Sequence, residues 1–140
     1  MKVSILKVNI FTKSVENLED YSFDSIVHTS YEIGTNLLAV ASGSQIHILN
    51  LCNKQVNRTL SLHTSNVYAF VKVKSNLPII ISTSSDTIMA WKLTSGEVLA
   101  KLNTQHLGAV FSALLIKKTL ILASLDHTIS LYDLNLKTVM

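Results

Sequence analysis

The sequence is poor in the residues that punctuate or cross-link a chain: four glycines, one proline and one cysteine among 140 residues. That scarcity excludes collagen-like and proline-rich linker classes. Cys52 is alone, so no intrachain disulfide and no cysteine-based zinc site can form, and a reducing compartment is the simple reading. Arginine is almost missing as well, with Arg58 the single example. Bidentate readout of guanine or phosphate is mainly arginine chemistry, and neutralising phosphates takes clustered basic groups, so composition argues against a nucleic-acid footprint. No run approaches the roughly 18 apolar residues that a membrane span requires. Lys7 interrupts the opening MKVSILKVNIF, which therefore does not read as a secretory signal. The expectation is a soluble protein of the cytoplasm or nucleus, without a membrane partner.

What the chain does contain is apolar residues in short runs. Hydrophobic residues make up 48% and charged residues 15%, which places the chain among globular and not disordered sequences. The formal charge of +3 is unevenly spread. Residues 1–32 hold three lysines and five acids, a net of −2, whereas residues 33–140 hold nine basic groups and four acids, a net of +5.

Internal repetition organises the apolar runs. Leu37–Leu51 (LLAVASGSQIHILNL), Ile79–Leu93 (IIISTSSDTIMAWKL) and Leu120–Leu134 (LILASLDHTISLYDL) superimpose without a gap at offsets of 42 and 41 residues. Each has an apolar run, a small polar turn, an alternating segment and a final leucine, and alternation at period two marks a strand with two unlike faces. A partial copy, Ser4–Ile10, lies 41 residues before Gln45–Leu51. Further strand-like segments fall at Ser25–Tyr31, Val67–Val73 and Val110–Ile116 before the apolar runs, and at Val56–Leu62 and Val98–Leu102 after the final leucines. The acidic stretch Ser14–Asp20 is the one helix candidate, since Ser14 is a preferred N-cap residue.

Four short strands in each period of 41–43 residues match the period of a β-propeller blade. A four-stranded sheet cannot cover both its faces alone, and radial stacking of sheets explains runs that are apolar on both sides, such as Ile79–Ile81. The expected fold is all-β: a partial propeller of four-stranded antiparallel blades. Its divisions are a half blade at 1–24 and blades at about 25–63, 64–106 and 107–140.

The third copy resembles the WD-repeat family. Ser124-Leu125-Asp126-His127-Thr128-Ile129-Ser130-Leu131-Tyr132-Asp133 looks like that family's S-x-D-x-T-I-x-L-W-D, with Tyr132 in the tryptophan's place. His106, 20 residues before Asp126, stands where the family's Gly-His dipeptide stands. The second copy keeps Trp91 and the Thr87-Ile88 pair, has His63 at the histidine position, and carries Asp86 one position later than the pattern, with Ser85 in the expected place. The resemblance implies a hydrogen-bonded chain within each blade, made of a histidine, a strand hydroxyl, a turn aspartate and an aromatic residue. Carried over, these are His63, Thr83, Asp86 and Trp91 in the second copy, and His106, Ser124, Asp126 and Tyr132 in the third.

These residue types could also suggest metal ligation or acid–base catalysis. His63 and His106 occupy equivalent places in successive repeats, however, so blade spacing separates them and no third ligand converges. No Gly-x-Ser-x-Gly elbow and no glycine-rich phosphate loop appear. No catalytic residue, metal or cofactor is assigned. Lys72, Lys74, Lys117 and Lys118 read as solvated edges or turns that guard against unwanted strand pairing.

The candidate binding surface is the rim of loops at 63–66 and 105–109 and turns at 43–45, 84–86 and 125–128, which reads as small, polar and nearly uncharged. The expected function is a non-catalytic protein–protein interaction scaffold, an inference from family resemblance since fold alone does not fix function. Two other readings are an RNA or ribonucleoprotein-binding subunit, suggested by the +5 of residues 33–140, and a substrate receptor of a ubiquitin ligase. About three and a half blades leave open edges, so the expectation is that blades from a longer chain, a second copy or another protein complete the ring.

Overall fold

The computed structural model describes the backbone at residues 2–9 and 14–134 and side chains from Tyr21 to Leu134. Every regular element in these residues is a strand, and no helix among them is long and apolar enough to cross a membrane. The end of the expected third blade, residues 135–140, lies outside the described residues.

A hairpin of β1 (Lys2–Asn9) and β2 (Ser14–Ser22) comes first. The helix candidate is therefore corrected: Ser14–Asp20 lies inside β2, whose register sets Val15 opposite Val8 and Glu16 opposite Lys7. Without an amphipathic run behind its cap, that stretch gains more from ladder pairing with β1 than from a helix.

Three antiparallel meanders follow. The first sheet holds β3 (Val27–Gly34), β4 (Leu37–Ser42), β5 (Gln45–Asn50) and β6 (Gln55–Leu60) in chain order. The second holds β7 (Val67–Val73), β8 (Ile79–Ser84), β9 (Thr87–Lys92) and β10 (Glu97–Asn103). The third holds β11 (Val110–Ile116), β12 (Thr119–Ser124) and β13 (Ile129–Asp133).

The opening strands β3, β7 and β11 are each a sheet edge, and β7 lies between the other two. Each carries a bulge just after its first residue, between Val27 and Thr29, Val67 and Ala69, and Val110 and Ser112. An extra residue in a bulge is re-aimed out of the ladder. Here those residues are His28, Tyr68 and Phe111, whose rings meet in a row at centroid distances of 4.8 and 5.0 Å, each pair inclined at 60°.

The core lies between sheets. Ala39, Ala41, Ile46 and Ile48 of the first sheet pack against Ile80, Met89 and Trp91 of the second. The opposite face of the second sheet, with Val71, Ile81 and Ile88, packs against Leu120, Leu122 and Tyr132 of the third. Burial on both faces explains why β8 reads as an almost unbroken apolar and small-residue run.

Register also corrects the ungapped alignment of the repeats. Leu49, Trp91 and Tyr132 stand opposite Leu38, Ile80 and Leu120, so Leu120 is the counterpart of Ile80, not of Ile79. The third sheet makes room in its β12–β13 connection. There His127 adopts φ +67° as the extra residue: the Ser124 amide donates to the Thr128 carbonyl and closes a three-residue turn, Leu125 to His127, where the second sheet has the two-residue turn Ser85-Asp86. Asp86 and Asp126 consequently both lie two residues after a strand-ending serine, Ser84 or Ser124. The apparent displacement of Asp86 is the missing turn residue.

Arg58 ties the outer strand of the first sheet to the second. Its Nη1 donates to the Ser95 carbonyl at 2.5 Å and its Nη2 to that of Thr94 at 3.2 Å. Gly96 follows at φ +75°, and a Cβ there would meet Arg58 Cδ at 2.8 Å. Gly96→Ala is expected to cost about 2 kcal/mol in the parent chain, left-handed strain plus displacement of the guanidinium, and about 1 kcal/mol in an Arg58→Ala background. Urea denaturation of the four variants measures this, and equal costs in both backgrounds would remove Arg58 from the account.

Candidate functional site

The histidines called out by the repeat each sit four residues before an opening strand, His63 before Val67 and His106 before Val110. The chain there crosses from the outer strand of one sheet to the inner strand of the next, which sets each imidazole against the β8–β9 or β12–β13 turn.

In the second sheet the result is a connected chain of hydrogen bonds. Trp91 Nε1 donates to Ser82 Oγ at 2.7 Å, and Ser82 Oγ lies 2.7 Å from His63 Nε2. An indole can only donate, so Ser82 accepts at the first contact, and its bond with Nε2 takes the direction that the His63 tautomer sets. The other ring nitrogen, Nδ1, lies 2.8 Å from Thr87 Oγ1. Thr87 meets Ser84 Oγ at 3.0 Å, and Ser84 donates to Asp86 Oδ1 at 2.6 Å. Thr64 Oγ1 donates to the other carboxylate oxygen at 2.6 Å. A donor-only indole starts the chain and an acceptor-only carboxylate ends it. Burial pushes His63 down to about 4, against the opposing pull of Asp86. Burial acts to raise the Asp86 carboxyl, but the hydrogen bonds from Ser84 and Thr64 outweigh it and hold the group below its ordinary value.

The third sheet solves the same problem with other atoms. His106 Nδ1 lies 2.9 Å from Asp126 Oδ2 and its Nε2 lies 2.6 Å from Ser130 Oγ. Asp126 also accepts from Thr128 Oγ1 at 2.6 Å and from the Leu107 amide at 3.0 Å. These bonds, that from Thr128 foremost, hold its carboxyl far below the carboxylate range.

Of the expected residues, the structure joins His63, Asp86 and Trp91 in one network and His106 with Asp126 in the other. Thr83 and Tyr132 lie outside these contacts, and Ser124 meets the second network only through the Asp126 amide, which donates to its Oγ at 3.3 Å. Thr83 is one residue from Ser82 and so faces the third sheet, where its hydroxyl reaches the carbonyls of Ala69 and Val110 at 3.5 Å. Ser124 donates to the Gly108 carbonyl at 3.2 Å, and Tyr132 packs in the apolar layer beside Leu120 and Leu122. The hydroxyls that meet the histidines at Nε2 are Ser82 and Ser130, while Thr87 and Thr128 stand at Nδ1. Ser82 stands opposite Met89, and Leu122 stands opposite Ser130. Between the two sheets, hydroxyl and hydrophobe have changed places across one cross-strand pair. Period-two reading from Trp91, whose partner Ile80 shares a face with Ser82, would have found the first of these.

The first sheet keeps the geometry and drops the polarity. Phe23 lies four residues before Val27, the place of His63, and packs on Val40 and Leu49, the counterparts of Ser82 and Trp91. Its ring also lies 4.8 Å from His47, whose pKa is lowered by burial against the opposing charge of Asp24.

The rim formed by these loops is less polar than its sequence suggests. Ile26, Leu62 and Leu125 are exposed there, and Leu107 is 97% exposed. Among the described residues no group of three or more His, Cys, Asp or Glu side chains could hold a metal ion. No protein-family model matches the chain. No curated protein matches it either.

Proposed function

We propose that the chain is a non-catalytic protein–protein interaction scaffold of WD-like repeats, in which each antiparallel sheet is a blade of a partial β-propeller within a larger ring or complex. One observation carries this reading. The outer face of the third sheet presents Leu114, Ile116, Ile129 and Leu131 to solvent, with Ile129 67% exposed. By register this face corresponds to the Ile81–Ile88 face of the second sheet and the Ala39–Ile48 face of the first, and both of those are buried by the next sheet. An apolar sheet face of that build marks an interaction surface. The histidine networks support the same function from another side. Their polar atoms are engaged in fixing the rim loops, and loops on a rigid frame are where partner-binding residues lie. Leu107 and Leu125 would then be apolar anchors of the rim.

Light scattering on the purified protein tests the reading. Association through the third sheet is expected in the parent chain, as dimers or larger species, and Ile129→Glu with Leu131→Lys is expected to reduce it to monomer with the β-sheet circular dichroism retained. A stable, compact monomer of the parent chain would overturn the reading.

A further inference from the structure

At the end of the inner strands away from the aromatic row lies an open cavity of about 750 Å³. All three opening strands contribute. Tyr31 comes from β3, Phe70 to Val73 from β7, and Ala113 to Leu115 from β11. Its mouth carries Lys72, Lys74, Lys117 and Lys118, all exposed. No carboxylate lines it, and none of the four lysines forms an ion pair among the described residues. Four ammonium groups thus surround apolar walls built from Val71, Val73, Leu114 and Leu115, on strands whose free edges pair with no further strand among the described residues.

We infer that this cavity binds an acidic peptide segment that carries apolar side chains between its carboxylates. The apolar walls take the leucine- or valine-like groups, and the lysines, which are point charges without the planar fork of arginine, take the carboxylates. An extended strand alternates its side chains, so acidic and apolar residues in alternation would point to mouth and wall. The open edges of the inner strands offer main-chain groups to the same peptide. The volume lies within the range of about 300–1,000 Å³ typical of ligand clefts. RNA fits less well: the cavity offers no arginine, and Tyr31 alone is an exposed ring on which a base could stack. Lysines that merely guard edges against pairing need no carboxylate-free apolar cavity between them.

The inference rests on the scaffold reading only in taking the ligand to be a protein segment. Fluorescence anisotropy tests it with a labelled twelve-residue peptide alternating Asp or Glu with Leu. The comparison probes are the same peptide with Asn and Gln replacing the acids, a twelve-residue oligouridylate, and tripolyphosphate as competitor. Two paired variants are used, Lys72→Gln with Lys74→Gln, and Lys117→Asn with Lys118→Gln. Asparagine tolerates the φ of +55° that Lys117 adopts, so the second pair removes charge without new strain. Each pair is expected to weaken the acidic peptide by about tenfold, the amide peptide is expected to bind poorly, and binding is expected to weaken as salt rises. Equal binding by both paired variants would overturn the inference. So would tighter binding of oligouridylate, or displacement of the peptide by tripolyphosphate at equal concentration. A monomeric parent chain that still binds the acidic peptide would sink the larger-ring reading and leave the cavity standing. An assembled chain that ignores the peptide would do the reverse.

Discussion

Ser82→Val is expected to destabilise the protein by about 2–4 kcal/mol, although valine fits a buried strand better than serine does. The cost arises from two groups left behind. Trp91 Nε1 loses its acceptor and His63 Nε2 loses its hydroxyl partner, both in a site with almost no solvent, and each orphaned buried group costs about 1–3 kcal/mol. Trp91→Leu alone would cost a similar amount through its cavity and through loss of the indole's bond to Ser82, again about 2–4 kcal/mol. The first sheet shows that the frame accepts a wholly apolar set, because Phe23, Val40 and Leu49 occupy the matching positions. The triple variant His63→Phe, Ser82→Val, Trp91→Leu is therefore expected to cost at least about 2 kcal/mol less than the three single costs added together. Thr87 and Asp86 lose one neighbour in that variant, but Ser84 and Thr64 still serve the carboxylate. Chemical denaturation of the parent, the three single variants and the triple variant at one concentration decides it, since association would shift apparent stability. Additivity within about 0.5 kcal/mol would mean that the hydrogen-bonded chain is three independent contacts.

That comparison also shows what could and could not be read from residues alone. Strands β7 and β11 begin and end where the apolar runs predict, because Val67–Val73 and Val110–Ile116 are bounded by polar loops. β3 begins two residues later than the sequence pattern predicts, at Val27 and not Ser25. Its alternation is weak, and the Ser25 carbonyl is instead the acceptor for Ser42 Oγ at 3.0 Å. The histidines and aspartates stood out because they recur. The hydroxyls did not, because a residue's face depends on register, and the extra residue His127 shifts register by one between the second and third sheets. Phe23 gave no signal at all. A search for polar recurrence passes over an apolar substitute, and only its four-residue distance from Val27 marks it. Leu107 and Leu125 were hidden by their polar neighbours, since a loop's composition says little about which side chain projects.

Acidification is expected to remove about 3 kcal/mol of stability between pH 6.5 and 4, before the aspartates are protonated. His63 titrates at about 4 in the folded protein, below its ordinary 6.5. Between those values the unfolded chain binds the extra proton and the folded chain does not, so stability rises with pH there. The contribution is fully present above 6.5 and is lost as pH falls towards 4. Burial explains why the folded state refuses the proton, because an imidazolium at this site would be held away from water. His47, lowered by burial against the opposing charge of Asp24, acts in the same direction, and His47→Asn isolates its share. Asp86 and Asp126, both held low, add stability that is present above the ordinary carboxylate range and lost only at more acid pH. Urea midpoints measured from pH 7.5 to 4 should therefore slope steeply in the parent chain and much less in His63→Phe with Ser82→Val and Trp91→Leu. An identical slope in the two proteins would show that His63 is not its source, and the buried-imidazole account would fall.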